Sequence, residues 1–347
     1  MNAENYTVKD IQKLYRLDER LSRSTLLNAE ARGEIPAAKR ETRGKTEVRI
    51  WSTDQLPEIG KKFGFLSGRL IAPEIIAFFT QKGGTLKTTL SWTFGRILAI
   101  NGVRVLFIGL DVQGSLTKTV MGEPEAKSLE ELQRIKQETG GLFHILFQNG
   151  VEFEDVIKTT DLPTLDIIPE TGELGALALR LAADPMRASV FKKRLIPKLK
   201  DYDVVIFDNA PSFSTLVENS LYSATTVISP IACDYGTYQV LGTNLEAVAQ
   251  FQKSTDVEWR NYLFVPTLLE QTKLSQQIYE SYLKTYAGQI IPYPLRRAVG
   301  GQEASVLKKS IIEHSPTSLL AADYYQLASS IWQRLVDAQS KYITKGN

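Results

Sequence analysis

Two lysines, Lys82 and Lys87, bracket a Gly-Gly-Thr-Leu turn and lead into Thr88-Thr89, shortly after the apolar run Ile75-Ile76-Ala77-Phe78-Phe79. Those residue types in that order can hold phosphate. Gly83 and Gly84 tolerate backbone angles that other residues avoid, so successive N–H groups can point into one concavity. The pattern predicts a helix from about Thr88 to Ile100, whose N-terminus adds its dipole and free N–H groups. Lys87 would then reach the β- and γ-phosphates of a nucleoside triphosphate, and the Thr88 hydroxyl would hold Mg²⁺. The general phosphate-loop pattern has Gly immediately before that lysine, whereas this chain has Leu86. A bare Gly-Gly corner between strand and helix would be a packing feature. The two lysines, the threonine pair and the preceding strand favour the phosphate cradle.

With Leu86 included, Lys82-Gly-Gly-Thr-Leu-Lys87-Thr88-Thr89 resembles the deviant Walker A motif of the ParA/MinD ATPases. Two further motifs follow in that family's order. Arg104 to Thr117, with Asp111-Val-Gln113-Gly114 inside it, is similar to the second-strand segment of ParA proteins and its switch. Asp203-Val-Val-Ile-Phe-Asp208 resembles their Walker B strand. Ser229-Pro230 with Asp234-Tyr235, Val265-Pro266-Thr267, and Ile291-Pro292 with Glu303-Ala304 also fit, so the resemblance covers about residues 72–338.

The resemblance implies ATP and Mg²⁺ as cofactors, with Lys82, Gly83, Gly84, Thr85, Leu86, Lys87, Thr88, Thr89, Pro266 and Thr267 around the nucleotide. It implies catalytic roles for Lys82, reaching across an ATP-sandwiched homodimer, for Lys87 in the cradle, and for Asp111, orienting the attacking water. Asp208 would orient the metal's water shell, and Thr88 would contact the metal directly. The chain departs from the family in three places besides Leu86. Gly109 stands where many members carry a second Asp, and Asn209-Ala210 replace a common Thr or Cys and Pro. A slow, partner-stimulated ATPase is the expectation.

Composition sets wider bounds. At 347 residues the chain has room for about two domains and a sizeable core. Its formal charge of +2 and pI near 8.4 neither require nor exclude a nucleic-acid partner, so that case rests on local patches. The single Cys233 excludes a disulfide framework within the chain and any site built from several cysteines, and suits a reducing cytoplasm. It also argues against the iron–sulfur reductases that share this kind of loop. Met1 to Asn5 has neither the basic start nor the apolar core of a signal peptide, and no run approaches the ~18 apolar residues of a membrane span. A cytoplasmic, nucleoid-associated protein is expected.

Around this site the chain divides near residue 70. In residues 1–69, Thr7-Val-Lys-Asp10 reads as a capping box opening a helix through Leu14. Ser22 could cap a second helix, Thr25 to Ala31, with Leu26, Leu27 and Ala29 inward and Arg23, Ser24 and Asn28 outward. Lys39-Arg40-Glu-Thr-Arg43-Gly44-Lys45 then reads as a basic hairpin, followed by a helix from Ser52 or Thr53 to Phe63. Helix–turn–helix plus a basic wing is a DNA-reading arrangement, and the order of these residues resembles winged modules of the MerR type. Candidate DNA contacts are Arg23, Ser24, Thr25 and Asn28 on the second helix and Lys39, Arg40, Arg43 and Lys45 in the wing. The alternative is a small helical adaptor with a solvated basic loop.

From residue 70 to 347, apolar runs alternate with helical segments: Val103–Ile108, Leu165–Ile168, Val204–Phe207, Thr226–Ile231, Tyr262–Val265 and Gln289–Ile291. Strands apolar on both faces predict an α/β fold, a parallel sheet covered by helices on both sides. All three motifs then fall at the carboxyl ends of strands, where such folds bind ligands. The last helix, about Leu319–Lys341, spaces Leu320, Tyr324, Leu327, Ile331 and Leu335 for core packing. By resemblance, late basic residues would bind DNA non-specifically; candidates are Lys273, Arg296, Arg297, Lys308 and Lys309.

These signs together lead to the expectation of a ParA-type plasmid or chromosome partition ATPase, repressing its own operator and working with a ParB-type centromere-binding protein. The alternatives are a nucleotide-gated transcription regulator with little turnover, and a MinD-like positioning ATPase. Ser340 to Asn347 lacks the bulky apolar cluster that an interfacial membrane helix needs, so no membrane partner is expected.

Overall fold

Alternate residues of the strand before the phosphate loop enter opposite cores. In β4 (Glu74–Phe78), Ile76 and Phe78 pack into one apolar cluster, and Ile75 and Ala77 into another. β5 (Val105–Leu110) repeats this, with Val105 and Phe107 on one side and Leu106, Ile108 and Leu110 on the other. Side chains alternate across a strand, so two-sided apolar strands require cover on both faces. In this computed structural model, which describes residues 5–44, 46–122, 128, 130, 140–298 and 300–346, helices supply that cover.

The central sheet adds β6 (Lys158–Thr159), β7 (Leu165–Ile168), β8 (Val204–Asn209), β9 (Thr226–Ala232) and β10 (Asn261–Thr267). Its order is β10-β9-β4-β8-β5-β7-β6. All neighbours are parallel except β6, which runs antiparallel to β7. The sheet is therefore mostly parallel, with one antiparallel edge that the apolar pattern did not foretell. Gln289–Ile291, expected as a strand, makes only an isolated bridge from Ile290 to Phe264. Gly288, at φ 89°, turns the chain just before it, and Pro292, which lacks an N–H to donate, follows it.

Residues 5–63 form a second, three-stranded antiparallel sheet, ordered β1 (Asn5–Thr7), β3 (Thr46–Ser52), β2 (Lys39–Arg43). The Thr7–Asp10 capping box is present and opens α1 (Val8–Leu14), and α2 spans Arg23–Ala31. α3 (Leu56–Phe63) leads toward the central sheet. This module and the central fold share one core: Ile11, Leu14, Tyr15 and Leu56 cluster with Ile97, Ile100, Tyr325 and Ile331. Tyr325 donates its hydroxyl to the Leu14 carbonyl at 2.8 Å. Gly60 of α3 lies so close to the Ile100 carbonyl that a Cβ there would collide with it. The final helix, Leu319–Gly346, buries Leu320, Tyr324, Leu327, Ile331 and Leu335 as its spacing predicted. No helix among the described residues is long and apolar enough to cross a membrane.

Candidate nucleotide site

α4 (Lys87–Ile100) begins at the second loop lysine, and the residue that departs from the general pattern, Leu86, is its cap. Leu86 adopts the left-handed conformation, φ 68° and ψ 27°. That region is open to Gly and costs other L-residues about 1–2 kcal/mol. The general phosphate-loop pattern places Gly there; this chain keeps the turn and carries the strain. Gly84, at φ 76°, makes the other tight bend. No atom lies within 4 Å of a Cβ built on Gly83 or Gly84, so the loop's inner face is open.

The two lysines differ sharply. Lys87 is buried and folds its amine onto the Lys82 carbonyl at 3.2 Å, whereas the Lys82 side chain is exposed. Burial lowers the Lys87 pKa, and the carboxylates of Asp208 and Asp111 oppose that shift. The Thr85 hydroxyl also donates to the Lys82 carbonyl, at 3.3 Å. Thr267, buried at the end of β10, donates to the Thr85 carbonyl at 3.2 Å, so the far strand braces the loop. Pro266 precedes it within β10. Thr88 and Thr89 sit half-buried in the first turn of α4.

Asp208, on β8 beside β4, is fully buried. Burial pushes its carboxyl up to about 6, against the hydroxyls of Thr88 and Ser91 and the charge of Lys87. Ser91 donates to its Oδ1 at 3.0 Å, while its Oδ2 is buried without a hydrogen-bond partner. An orphaned carboxylate oxygen beside a threonine hydroxyl suits a hydrated divalent cation, because hard cations take oxygen ligands. Asn209, next in sequence, donates to the Phe78 carbonyl at 3.1 Å and accepts from Ser220 at 2.7 Å. In place of the family's usual Thr or Cys, it ties β8 to β4 just below the loop.

Asp111 follows β5 and accepts a bond from the Gln113 N–H at 3.0 Å. Gly114, at φ 67°, starts α5 (Ser115–Met121). The sequence reading missed Glu170, just beyond β7. Its Oε1 accepts from the Asp111 N–H at 3.3 Å and its Oε2 from the Thr117 N–H at 2.8 Å. Burial pushes its carboxyl up to about 7, against the hydrogen bonds from Thr117. The available signal was its place after Ile167-Ile168-Pro169, at the carboxyl end of a strand.

The structure thus gathers the loop, Asp111, Asp208 and Thr267 at one end of the sheet. The basic candidates lie elsewhere. Arg23, Ser24 and Asn28 are exposed on α2, with Thr25 half-buried; Lys39 and Arg40 are exposed on β2, and Arg43 ends that strand. Lys45 lies outside the described residues. Arg40 sits 3.6 Å from Glu30, which also pairs with Arg49 at 2.7 Å. Lys273 is exposed at the start of the helix Lys273–Thr285. Arg296 is held by both Asp323 oxygens at 2.6 and 2.7 Å, and Arg297 pairs with Glu270 at 2.6 Å. Lys308 donates to the Met121 carbonyl at 2.6 Å, and the Lys309 amine lies 5.8 Å from the Tyr6 ring centroid.

A parallel sheet whose first strand opens through a lysine-bearing loop into a helix, with buried Asp208 on the neighbouring strand, defines a P-loop nucleotide-binding protein. A family model described as an AAA domain matches residues 73–260. The chain is 30% identical over 274 residues to the cell division protein PomZ of Myxococcus xanthus, covering 78% of this chain and 81% of that one. It is 29% identical over 271 residues to the chromosome-partitioning ATPase Soj of Thermus thermophilus, covering 76% and 97%. An ATP complex of McdA from Cyanothece shares the fold with a TM-score of 0.63 at 20% identity, covering 79% and 98%. The chain belongs to the ParA/MinD-type P-loop ATPases.

Proposed function

We propose that the protein is an ATP-dependent DNA-partition ATPase, binding ATP with Mg²⁺, pairing as an ATP-sandwiched homodimer and acting on nucleoid DNA in the cytoplasm. The observation that carries this is the division between the two loop lysines. Lys87 is buried and bonded within its own loop, while Lys82 is exposed, its amine near Gly236. That difference supports assigning Lys87 to the chain's own nucleotide and Lys82 to that of a partner copy.

Bound Mg²⁺-ATP supplies the phosphoryl group and the metal that offsets its charge. Lys87 turns from the Lys82 carbonyl to the phosphates, and the loop N–H groups donate around them. Thr88 and Asp208, the latter held by Ser91, are the residues that would hold the metal, Thr88 through its hydroxyl and Asp208 through bound water. Asp111 would accept from an attacking water while its Oδ1 keeps the Gln113 N–H, since a carboxylate has acceptor sites on both oxygens. Turnover in this reading is slow and raised by a partner, a ParB-type centromere-binding protein.

Residues 5–63 support operator binding and autoregulation. A hairpin bearing Lys39 and Arg40 follows α2, which exposes Arg23, Ser24 and Asn28, as in a winged helix–turn–helix. Lys273 and its basic neighbours are candidates for non-specific contacts. A nucleotide-gated transcription regulator with little turnover is the second reading, motivated by Leu86, Gly109 and the hairpin–helix module of residues 5–63.

Turnover, gel filtration and DNA retention, measured with ATP and with ADP, test the proposal. ATP-dependent dimers that bind DNA and hydrolyse ATP at a DNA-stimulated rate are expected. Operator binding with no turnover under any condition would favour the regulator. Monomers with ATP, in wild type and Lys82→Ala alike, would overturn the sandwich.

A further inference from the structure

Gly109 on β5 lies against the carboxylate of Glu170, just beyond the end of β7. A Cβ built on Gly109 would meet Glu170 Cγ and Cδ, with Oε1 at 2.6 Å. Glu170 therefore fills the space that a side chain on residue 109 would need. Its two oxygens do different things. Oε1 takes the Asp111 N–H and Oε2 the Thr117 N–H, while the Glu170 N–H returns a bond to the Thr117 hydroxyl at 2.7 Å. One carboxylate so grips both ends of the segment that carries Asp111 and Gln113. Between those ends the chain is held by its own turn, with the Gly114 N–H donating to the Asp111 carbonyl at 3.0 Å.

We propose that Glu170 is a positioning residue for ATP turnover, clamping the Asp111 segment from β7 through the room that Gly109 leaves open. The proposal rests on the ATPase reading and adds to it a residue on a strand that carries no nucleotide motif. A carboxylate carried on β5 itself would move with that strand. Glu170 instead couples the end of β7 to the start of α5, so the segment's position depends on two strands. Glycine at 109 is then a requirement of the clamp, because any larger residue displaces Glu170.

The test uses the full chain with Mg-ATP. Glu170→Ala should bind ATP within about twofold of wild type yet lower kcat about tenfold or more, with amide hydrogen exchange accelerated only across residues 111–117. Glu170→Gln, which keeps one carbonyl acceptor, should fall between. Gly109→Asp alone should lower both thermal stability and kcat, since its side chain collides with Glu170. Gly109→Asp combined with Glu170→Ala should recover kcat above that of Glu170→Ala alone. Wild-type kcat in Glu170→Ala, or a loss confined to KM, overturns the proposal, as does a double variant no faster than Glu170→Ala. A wild-type protein that neither binds nor hydrolyses ATP overturns the ATPase reading and the turnover role together, and the exchange experiment still decides whether the clamp exists.

Discussion

Tyr15 donates its buried hydroxyl to the carbonyl of Ile100, the last residue of α4, at 2.9 Å, sharing it with the Leu56 carbonyl at 2.7 Å. The same helix begins at Lys87. One rigid element therefore joins the phosphate loop to the N-terminal module. Helix ends leave carbonyls without intrahelical partners, and Tyr15 satisfies one of them inside the shared core.

Tyr15→Phe should cost about 1–3 kcal/mol, the penalty for leaving a buried polar group unsatisfied. Urea unfolding of wild type and variant measures it. An unchanged midpoint would mean that water or another donor replaces the hydroxyl. Removing residues 1–69 is a harsher change, because it uncovers Ile97, Ile100 and Tyr325. Point variants are therefore the cleaner probe of the module.

Lys87→Ala should weaken ATP binding about ten- to hundredfold or more, the loss of at least one charge-assisted hydrogen bond. Calorimetry measures it directly. Lys82→Ala, in contrast, should leave the monomer's affinity near wild type, since that side chain is exposed. Equal losses in the two variants would contradict their different placement.

Leu86 sits at φ 68°, so its replacement reads out backbone strain rather than contact loss. Leu86→Gly relieves about 1 kcal/mol of strain but adds a similar entropy to the unfolded chain, so stability should change little and ATP affinity should hold. Leu86→Ile should weaken both, because a β-branched residue resists this conformation more strongly. Thermal melts with and without Mg-ATP check the pair. A Leu86→Gly variant that loses ATP binding would show that the Leu side chain itself is needed.

What the sequence revealed followed from burial on two faces and from strand ends. Val204–Phe207 and Thr226–Ile231 were readable because apolar runs of that length fit a covered sheet. β6 was not readable, since Lys158-Thr159 is short, polar and paired only at an edge. Gln289–Ile291 looked like a strand because Ile290 and Ile291 are buried, yet burial alone does not supply a ladder. Asp111 and Asp208 were legible through their motifs. Glu170 belongs to no motif; its place at a strand end was a weak signal, and its hydrogen bonds and packing against Gly109 expose it. The docking of Tyr15 on α4 was also hidden, because residues 1–69 carry an amphipathic pattern that does not specify its partner.

Asp208 and Glu170 give the nucleotide-free protein a pH dependence. Burial raises them from 3.8 and 4.5 to about 6 and about 7. An acid whose pKa is raised on folding stabilises the fold below its unfolded value, and that contribution is lost as pH rises through the folded value. Thermal stability should therefore fall between about pH 4 and 7. Asp208→Asn should flatten the lower part of that fall, and Mg-ATP should offset it in wild type. Differential scanning fluorimetry across this range gives the answer; a wild-type profile rising with pH would contradict the two shifts.

The two DNA activities should separate by residue. Arg23 and Asn28 are exposed on α2, the helix proposed to read base edges, where contacts specify sequence. Arg23→Ala with Asn28→Ala should abolish selection of a preferred sequence from a random duplex pool, while ATP-dependent retention of random DNA persists. Lys273→Ala should do the reverse, lowering the salt dependence of non-specific binding by about one unit of slope, because each phosphate contact releases its counterion. Arg296→Ala should matter less for DNA, since its charge is already matched by Asp323. Its larger effect should be on stability, through a partly buried carboxylate left without its partner. Filter binding across a salt series, for each variant with ATP and with ADP, measures all of this. If the α2 double variant still selects a sequence, the reading helix is misassigned. If Arg296→Ala reduces the salt slope as much as Lys273→Ala, the Asp323 pairing opens on DNA, and phosphate outcompetes the carboxylate.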